Sequence, residues 1–156
     1  MPSVIPRPRH FDFSNAPGHL IRRAHQVSVA LFMEAAADAD ITQVQFAILN
    51  ALIDQPGMDQ VRLAQAVALD PATSGSVIGR LEKKGWIVRR RDEADRRRWR
   101  LTITDTGRQT VASLIEPVGR SQSRLLEPLQ EEERRLFCQL LRKITYREAW
   151  GEHDRV

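Results

Sequence analysis

The chain has 156 residues, 24 Lys+Arg against 20 Asp+Glu for a formal +4, and 42% apolar against 28% charged residues. That length suits one domain with a helical extension, and the composition is that of a globular rather than a disordered chain. The apolar run from Val27 to Met33 is too short to span a bilayer, and the proline-rich start MPSVIPRPRHFDF has no signal-peptide core. A single cysteine, Cys138, excludes a disulfide framework or a Cys-rich zinc site, so a reducing cytoplasm is the expected compartment.

Residues 1–17 read as an extended N-terminal arm, because Pro2, Pro6, Pro8 and Pro17 block helix. From Gly18 to about Asp38 the period turns helical, with Leu20, Ala24, Val27 and Leu31 forming an apolar seam of the kind that packs on other helices. A second helix starts at Thr42, where Thr42 and Gln45 make a capping box and Ile41 can staple onto Phe46; Phe46, Leu49 and Ile53 lie on its apolar face. Gln55-Pro56-Gly57-Met58 suits a type II turn. Asp59 caps a short third helix predicted to bury Val61, Leu63, Ala64 and Val67. Asp70 caps a fourth, with Pro71 at its first position and Gly85 closing it.

The period then switches. Ile87–Arg91 reads as a strand, Asp92–Asp95 as a turn, and Trp99, Leu101 and Ile103 alternate as a second strand. Thr104 or Asp105 caps a long fifth helix carrying Val111, Leu114, Ile115 and Val118, in which Pro117 should kink the axis or shift the packing. Pro128 ends that run, and Gln130 or Glu131 opens a sixth helix with Leu136, Phe137, Leu140, Leu141 and Ile144 apolar. The predicted fold class is mainly α with a small β hairpin.

The charge is unevenly placed. Between Arg80 and Arg108 lie eleven basic and five acidic residues, a local +6, while the remainder sums to −2. Such a cluster is either a solvated basic face or a footprint for a polyanion. The local elements favour the second reading. Helix, turn and capped helix are the geometry that offers a second helix to the major groove. Its exposed side carries Thr73, Ser74, Ser76, Gly79 and Arg80, small and polar groups suited to base edges and phosphates. The hairpin that follows is flanked by Arg89–Arg91 and Arg96–Arg98, an arginine tip suited to a narrow minor groove.

The stretch LAQAVALDPATSGSVIGRLEKKGWIVRRRDEADRRRWRLTITDTG resembles the DNA-binding core of the MarR family of bacterial transcription regulators. The resemblance is motif-level from Leu63 to Gly107 and extends in layout over about residues 20–148. Its most specific part is Asp95-Arg96-Arg97 followed by Leu101-Thr102 and Thr104-Asp105-Thr106-Gly107. It implies a winged helix-turn-helix DNA-binding domain over 42–107, joined to a helical dimerisation region over 18–38 and 108–150. The DNA-binding residues would be Thr73, Ser74, Ser76, Arg80, Asp95, Arg96, Arg97 and Arg98, with Asp95 holding Arg97 as Arg97 enters the minor groove. Ser74 and Gly75 depart from the family pattern, where an apolar residue and a Thr or Ser are common. The partners implied are double-stranded DNA with a near-palindromic operator and a second copy of the chain. The physical argument agrees on the copy, since two recognition helices one DNA turn apart require two-fold symmetry.

Gly18-His19-Leu20-Ile21-Arg22-Arg23 offers a sensor. His19, Arg22 and Arg23 fall at i, i+3 and i+4, so a guanidinium fork and an imidazole share a helix face suited to a small carboxylate or phenolate. The alternative is that they make dimer salt bridges or face solvent. The stretch resembles, more loosely, regulators of aromatic and N-heterocyclic acid catabolism, the nicotinate-pathway type included. A small aromatic acid is therefore the expected effector, and a repressor released by it the expected function. A non-specific architectural DNA binder and a regulator without an effector are the alternatives. Cys138, set among Leu136, Phe137, Leu140 and Leu141, reads as a buried structural thiol. With no Gly-rich phosphate loop, HExxH or GxSxG, no catalytic, metal or cofactor site is expected.

Overall fold

Four of the helices begin where a side chain takes over an orphan backbone N–H group. In the computed structural model, which describes residues 11–93 and 95–145, Thr42 and Gln45 form the full capping box. Asp59, Asp70 and Thr104 each accept the N–H three residues on. The elements run α1 (Pro17–Ala35), a 3-10 turn (Ala37–Ala39), α2 (Gln43–Asp54), α3 (Gln60–Ala66), α4 (Pro71–Lys83), β1 (Ile87–Arg91), β2 (Trp99–Ile103), α5 (Asp105–Leu125) and α6 (Glu131–Thr145). Residues 1–10 of the expected arm, Ala94 of the hairpin turn, and 146–150 of the expected dimerisation region lie outside the described residues.

Helix α4 ends in a Schellman motif: Gly85, at φ 70°, donates its N–H to Glu82, and Trp86 donates to Leu81. That tight reversal launches β1 directly from the end of α4. Strands β1 and β2 pair antiparallel from Ile87↔Ile103 to Arg91↔Trp99. The turn after α2 adds a third edge: Met58 bridges Leu101, and Gly57 donates its N–H to the Leu101 carbonyl at 3.0 Å. The hairpin is thereby fastened to the helical domain at its base and left open at its tip.

The core gathers Phe32 of α1, Ile48, Leu49 and Leu52 of α2, Leu63 of α3, Ile78 and Leu81 of α4, Ile87, Leu101 and Ile103 of the hairpin, and Val111 and Leu114 of α5. Each such side chain contributes about 1.5–3 kcal/mol on full burial. On α2 the buried line is Gln45, Ile48, Leu49 and Leu52, while the expected Phe46 and Ile53 flank it half-buried. Val61 is a clear correction. It is 65% exposed, because the seven residues of α3 present only Leu63 and Ala64 inward.

The seam of α1 is left largely exposed by the described residues. Leu20 and Val27 are 47% and 51% exposed, and the helix meets the core instead through Phe32 at its C-terminal end. Helix α6 buries no residue; Leu136, Leu140 and Ile144 are exposed, and Cys138 is half-buried rather than enclosed. Pro117 lies inside α5, which continues unbroken to Leu125. A winged helical core thus carries two helices, α1 and α6, whose apolar residues Leu20, Val27, Leu136, Leu140 and Ile144 are left exposed by the described residues.

Candidate nucleic-acid interface

Helix α4 stands on α3 through a polar peg. Ser74, expected on the DNA side, is 1% exposed, and its Oγ accepts a hydrogen bond from Gln60 Nε2 at 3.2 Å. The reason is angular: Ser74 sits four residues before Ile78, on the face of α4 that enters the core, so the departure from an apolar residue is absorbed by a partner on α3. Thr73, Ser76 and Arg80 are exposed and share one face at i, i+3 and i+7. The Ser76 hydroxyl donates to the Thr73 carbonyl, leaving its lone pairs available outward. Asp70, whose carboxylate accepts from Thr73, is held below the ordinary carboxylate range by that bond and so stays charged as a cap.

The hairpin tip is shaped by Asp95. Its Oδ1 accepts the Arg97 backbone N–H at 3.0 Å and its carbonyl accepts the Arg98 N–H, an Asx-type turn. The carboxylate forms its ion pair with Arg98, at 3.4 Å, rather than with the Arg97 side chain. Asp95 therefore holds Arg97 by the backbone and leaves its guanidinium unengaged. Arg91 stacks 4.2 Å over Trp99 and donates to the Arg96 carbonyl, which braces the tip from below.

The structure divides the basic stretch into two groups that the sequence does not distinguish. Arg89 pairs with Glu82 at 2.9 Å, Lys84 with Asp40 at 2.7 Å, and Arg100 with Asp92 at 2.6 Å. Among the described residues, Arg80, Lys83, Arg90, Arg91, Arg96, Arg97 and Arg108 enter no ion pair. The second group carries the uncompensated charge, and Arg96 and Arg97 concentrate it at the tip.

The three sensor residues line neither of two concavities formed by the described residues. Arg22 and Arg23 are exposed, and His19 lies 4.5 Å from the Phe13 ring with its Nδ1 buried and without a hydrogen-bond partner among the described residues. Concavities of about 410 and 450 Å³ occur elsewhere, the first at Val61, Arg98 and Trp99, the second between Ala36, Trp86, Leu114 and Pro117. Neither includes His19, Arg22 or Arg23. The physical cause is the projection of the N-terminal half of α1 beyond its own core. Among the described residues, no group of three His, Cys, Asp or Glu side chains is placed to hold a metal, and no helix is long and apolar enough to cross a membrane.

Comparison with known proteins agrees with this architecture. The sequence model of the MarR family matches residues 41–99. The chain is 34% identical over 131 residues to the transcriptional regulator HosA of Escherichia coli, covering 83% of this chain and 95% of that protein. It is 33% identical over 135 residues to the HTH-type transcriptional repressor NicR of Pseudomonas putida, covering 86% and 85%. Among solved structures it resembles BpsR of Bordetella bronchiseptica, whose DNA binding is regulated by 6-hydroxynicotinic acid, with a TM-score of 0.84 and 34% identity over 89% of this chain and 99% of that one.

Proposed function

The chain belongs to the MarR family of transcription regulators, and from that premise we propose that it works in the cytoplasm as a homodimer, repressing from a near-palindromic DNA operator until a small aromatic carboxylate or phenolic ligand releases it. It is a regulator and not an enzyme. The observation that carries the reading is the pairing of two surfaces on one domain: the exposed Thr73, Ser76 and Arg80 face of α4 and the tip, where Arg96 and Arg97 enter no ion pair among the described residues. The first is shaped for base edges in the major groove and the second for the negative potential of the flanking minor groove. The domain assignment follows: 42–107 reads DNA, while 18–38 and the described part of 108–150 make the dimer through the uncovered faces of α1 and α6.

The similarity to NicR and BpsR supports an aromatic or N-heterocyclic acid as effector. His19, Arg22 and Arg23 would then form a carboxylate site completed by the second protomer, since Arg22 and Arg23 are exposed on one chain. Ligand binding would shift the spacing of the two α4 helices away from one DNA turn. The test is a mobility-shift titration on a duplex selected by the protein from a random pool, with pyridine carboxylates and hydroxybenzoates added in turn. Release by one of them, lost in Arg22→Ala and His19→Ala, is the expected result. Release by none overturns the effector reading, and a specific-to-nonspecific affinity ratio near one favours an architectural DNA binder.

A further inference from the structure

Arg100 belongs to the basic stretch but is turned away from its neighbours. Its Nε and Nη2 approach Asp92 Oδ2 at 2.7 and 2.6 Å, and its Nη1 donates to the Gly57 carbonyl at 3.1 Å. Asp92 is only 7% exposed and sits where β1 enters the hairpin turn, its own N–H donating to the Arg98 carbonyl at 3.0 Å. Gly57 lies in the turn between α2 and α3, 43 residues away in sequence from Arg100. One guanidinium therefore spans three segments: the start of the wing turn, strand β2, and the turn that leads into the helix-turn-helix. A nearly buried carboxylate needs its counter-charge. The fork geometry of arginine supplies it while leaving a third donor for the carbonyl. Across the hairpin Arg100 faces Arg90, a like-charged pair that is tolerable because Asp92 neutralises one member.

We infer that Arg100 is a positioning residue that sets the angle of the wing to α4, so that Arg96 and Arg97 reach the minor groove while Thr73, Ser76 and Arg80 occupy the major groove. The inference rests on the DNA-reading function proposed above. It assigns Arg100 no phosphate contact, against what its place in an arginine-rich run suggests.

The experiment compares the wild type with Arg100→Gln, Arg100→Lys, Arg97→Gln, and Arg96→Gln/Arg97→Gln with and without Arg100→Gln, on a duplex recovered by the wild type from a random pool. Affinity is measured as a function of salt, hydroxyl-radical protection is mapped along the duplex, and thermal unfolding is recorded. A lost phosphate contact lowers the slope of log K against log salt by about 0.9 per phosphate, or about 1.8 for a dimer. Arg97→Gln should show that fall. Arg100→Gln should instead lose affinity by about tenfold, the order of one misread base pair, with protection lost only at the flanking minor-groove positions, and should lower neither affinity nor salt slope further when added to Arg96→Gln/Arg97→Gln. Arg100→Lys, which keeps a charge for Asp92 without the three-way fork, should fall between wild type and Arg100→Gln, and it serves as the readout if Arg100→Gln does not fold.

A slope that falls further when Arg100→Gln is added to Arg96→Gln/Arg97→Gln overturns the proposal in favour of direct contact. A protection pattern that weakens uniformly along with thermal stability overturns it in favour of a purely structural role. Unchanged affinity and protection overturn it outright. Failure of the wild type to select any duplex removes the DNA-reading function itself, and the positioning role with it.

Discussion

Lys84, at the C-terminal end of α4, pairs with Asp40 at 2.7 Å and also donates to the Asp40 backbone carbonyl. Its ammonium lies 4.6 Å over the Trp86 ring, so one side chain links the helix proposed to read DNA to the junction between α1 and α2. Asp40 holds a left-handed backbone, φ 46°, that suits glycine better than aspartate. Asp40→Ala loses the pair and keeps the strain. Asp40→Gly loses the pair and relieves it, and should be the more stable of the two by about 1 kcal/mol. Urea unfolding midpoints of the two variants check this.

The uncovered faces of α1 and α6 predict a dimer whose stability depends on concentration. Val27→Lys puts a charge on a residue that its own chain leaves half exposed, so the fold of the winged core should survive while the dimer weakens. Sedimentation should show a shift toward monomer, and DNA affinity should fall with it. A variant that remains dimeric at micromolar concentration would place the interface elsewhere.

The division of the basic stretch makes a second contrast at the wing. Arg89 is paired with Glu82 and half-buried, so Arg89→Gln should cost about 1 kcal/mol of stability and leave the salt dependence of DNA binding unchanged. Arg96 enters no ion pair, so Arg96→Gln should leave stability unchanged and lower the salt slope by about 1.8 in a dimer. Denaturation and salt titration, run on the same two variants, separate the roles.

Gly107 opens α5 against the end of the α4 closing motif. A Cβ there would lie 2.3 Å from the Trp86 carbonyl oxygen and 2.8 Å from Ile103 Cγ1, both parts of the packed core edge. Gly107→Ala should therefore destabilise by about 3 kcal/mol. Because the clash falls where Thr104 and Trp86 anchor the hairpin base, DNA binding should weaken along with the unfolding midpoint.

Asp70 gives the acid limb of stability a local component. Its folded-state pKa lies below the ordinary carboxylate value, through its bonds to Thr73, so the stabilisation is present above that ordinary value and lost as pH falls through the lowered one. Asp70→Asn retains a cap but not the charge. The stability difference between wild type and Asp70→Asn should be constant near neutrality and shrink below about pH 4, as followed by urea midpoints across pH.

Local chemistry alone determined the element boundaries of the wing and the caps. Strands at 87–91 and 99–103 follow from the switch of period after Gly85, and the caps at Thr42, Asp59, Asp70 and Thr104 follow from side chains that reach only three residues. These interactions are short in sequence, so they can be read in sequence. The family resemblance was legible for the same reason, since its motif lies in one continuous stretch.

Only the tertiary structure decided which members of a pattern face inward and which charges are already spent. Val61 and Ser74 exchange their expected positions, because the rotation of α3 and α4 about their axes is set by contacts between helices rather than by the residues of either one. The seam of α1 reads in sequence as a helix-packing face, and the described residues leave its Leu20 and Val27 exposed; amphipathic spacing is the same whether the cover is intramolecular or a second copy. Arg89, Arg97 and Arg100 are equivalent letters in one run. The distant Gly57 turn and the buried Asp92 make Arg100 a strut, Glu82 holds Arg89, and the backbone turn at Asp95 leaves Arg97 unpaired at the tip. Charge density is a property of the sequence; availability of that charge depends on partners that only folding brings within reach.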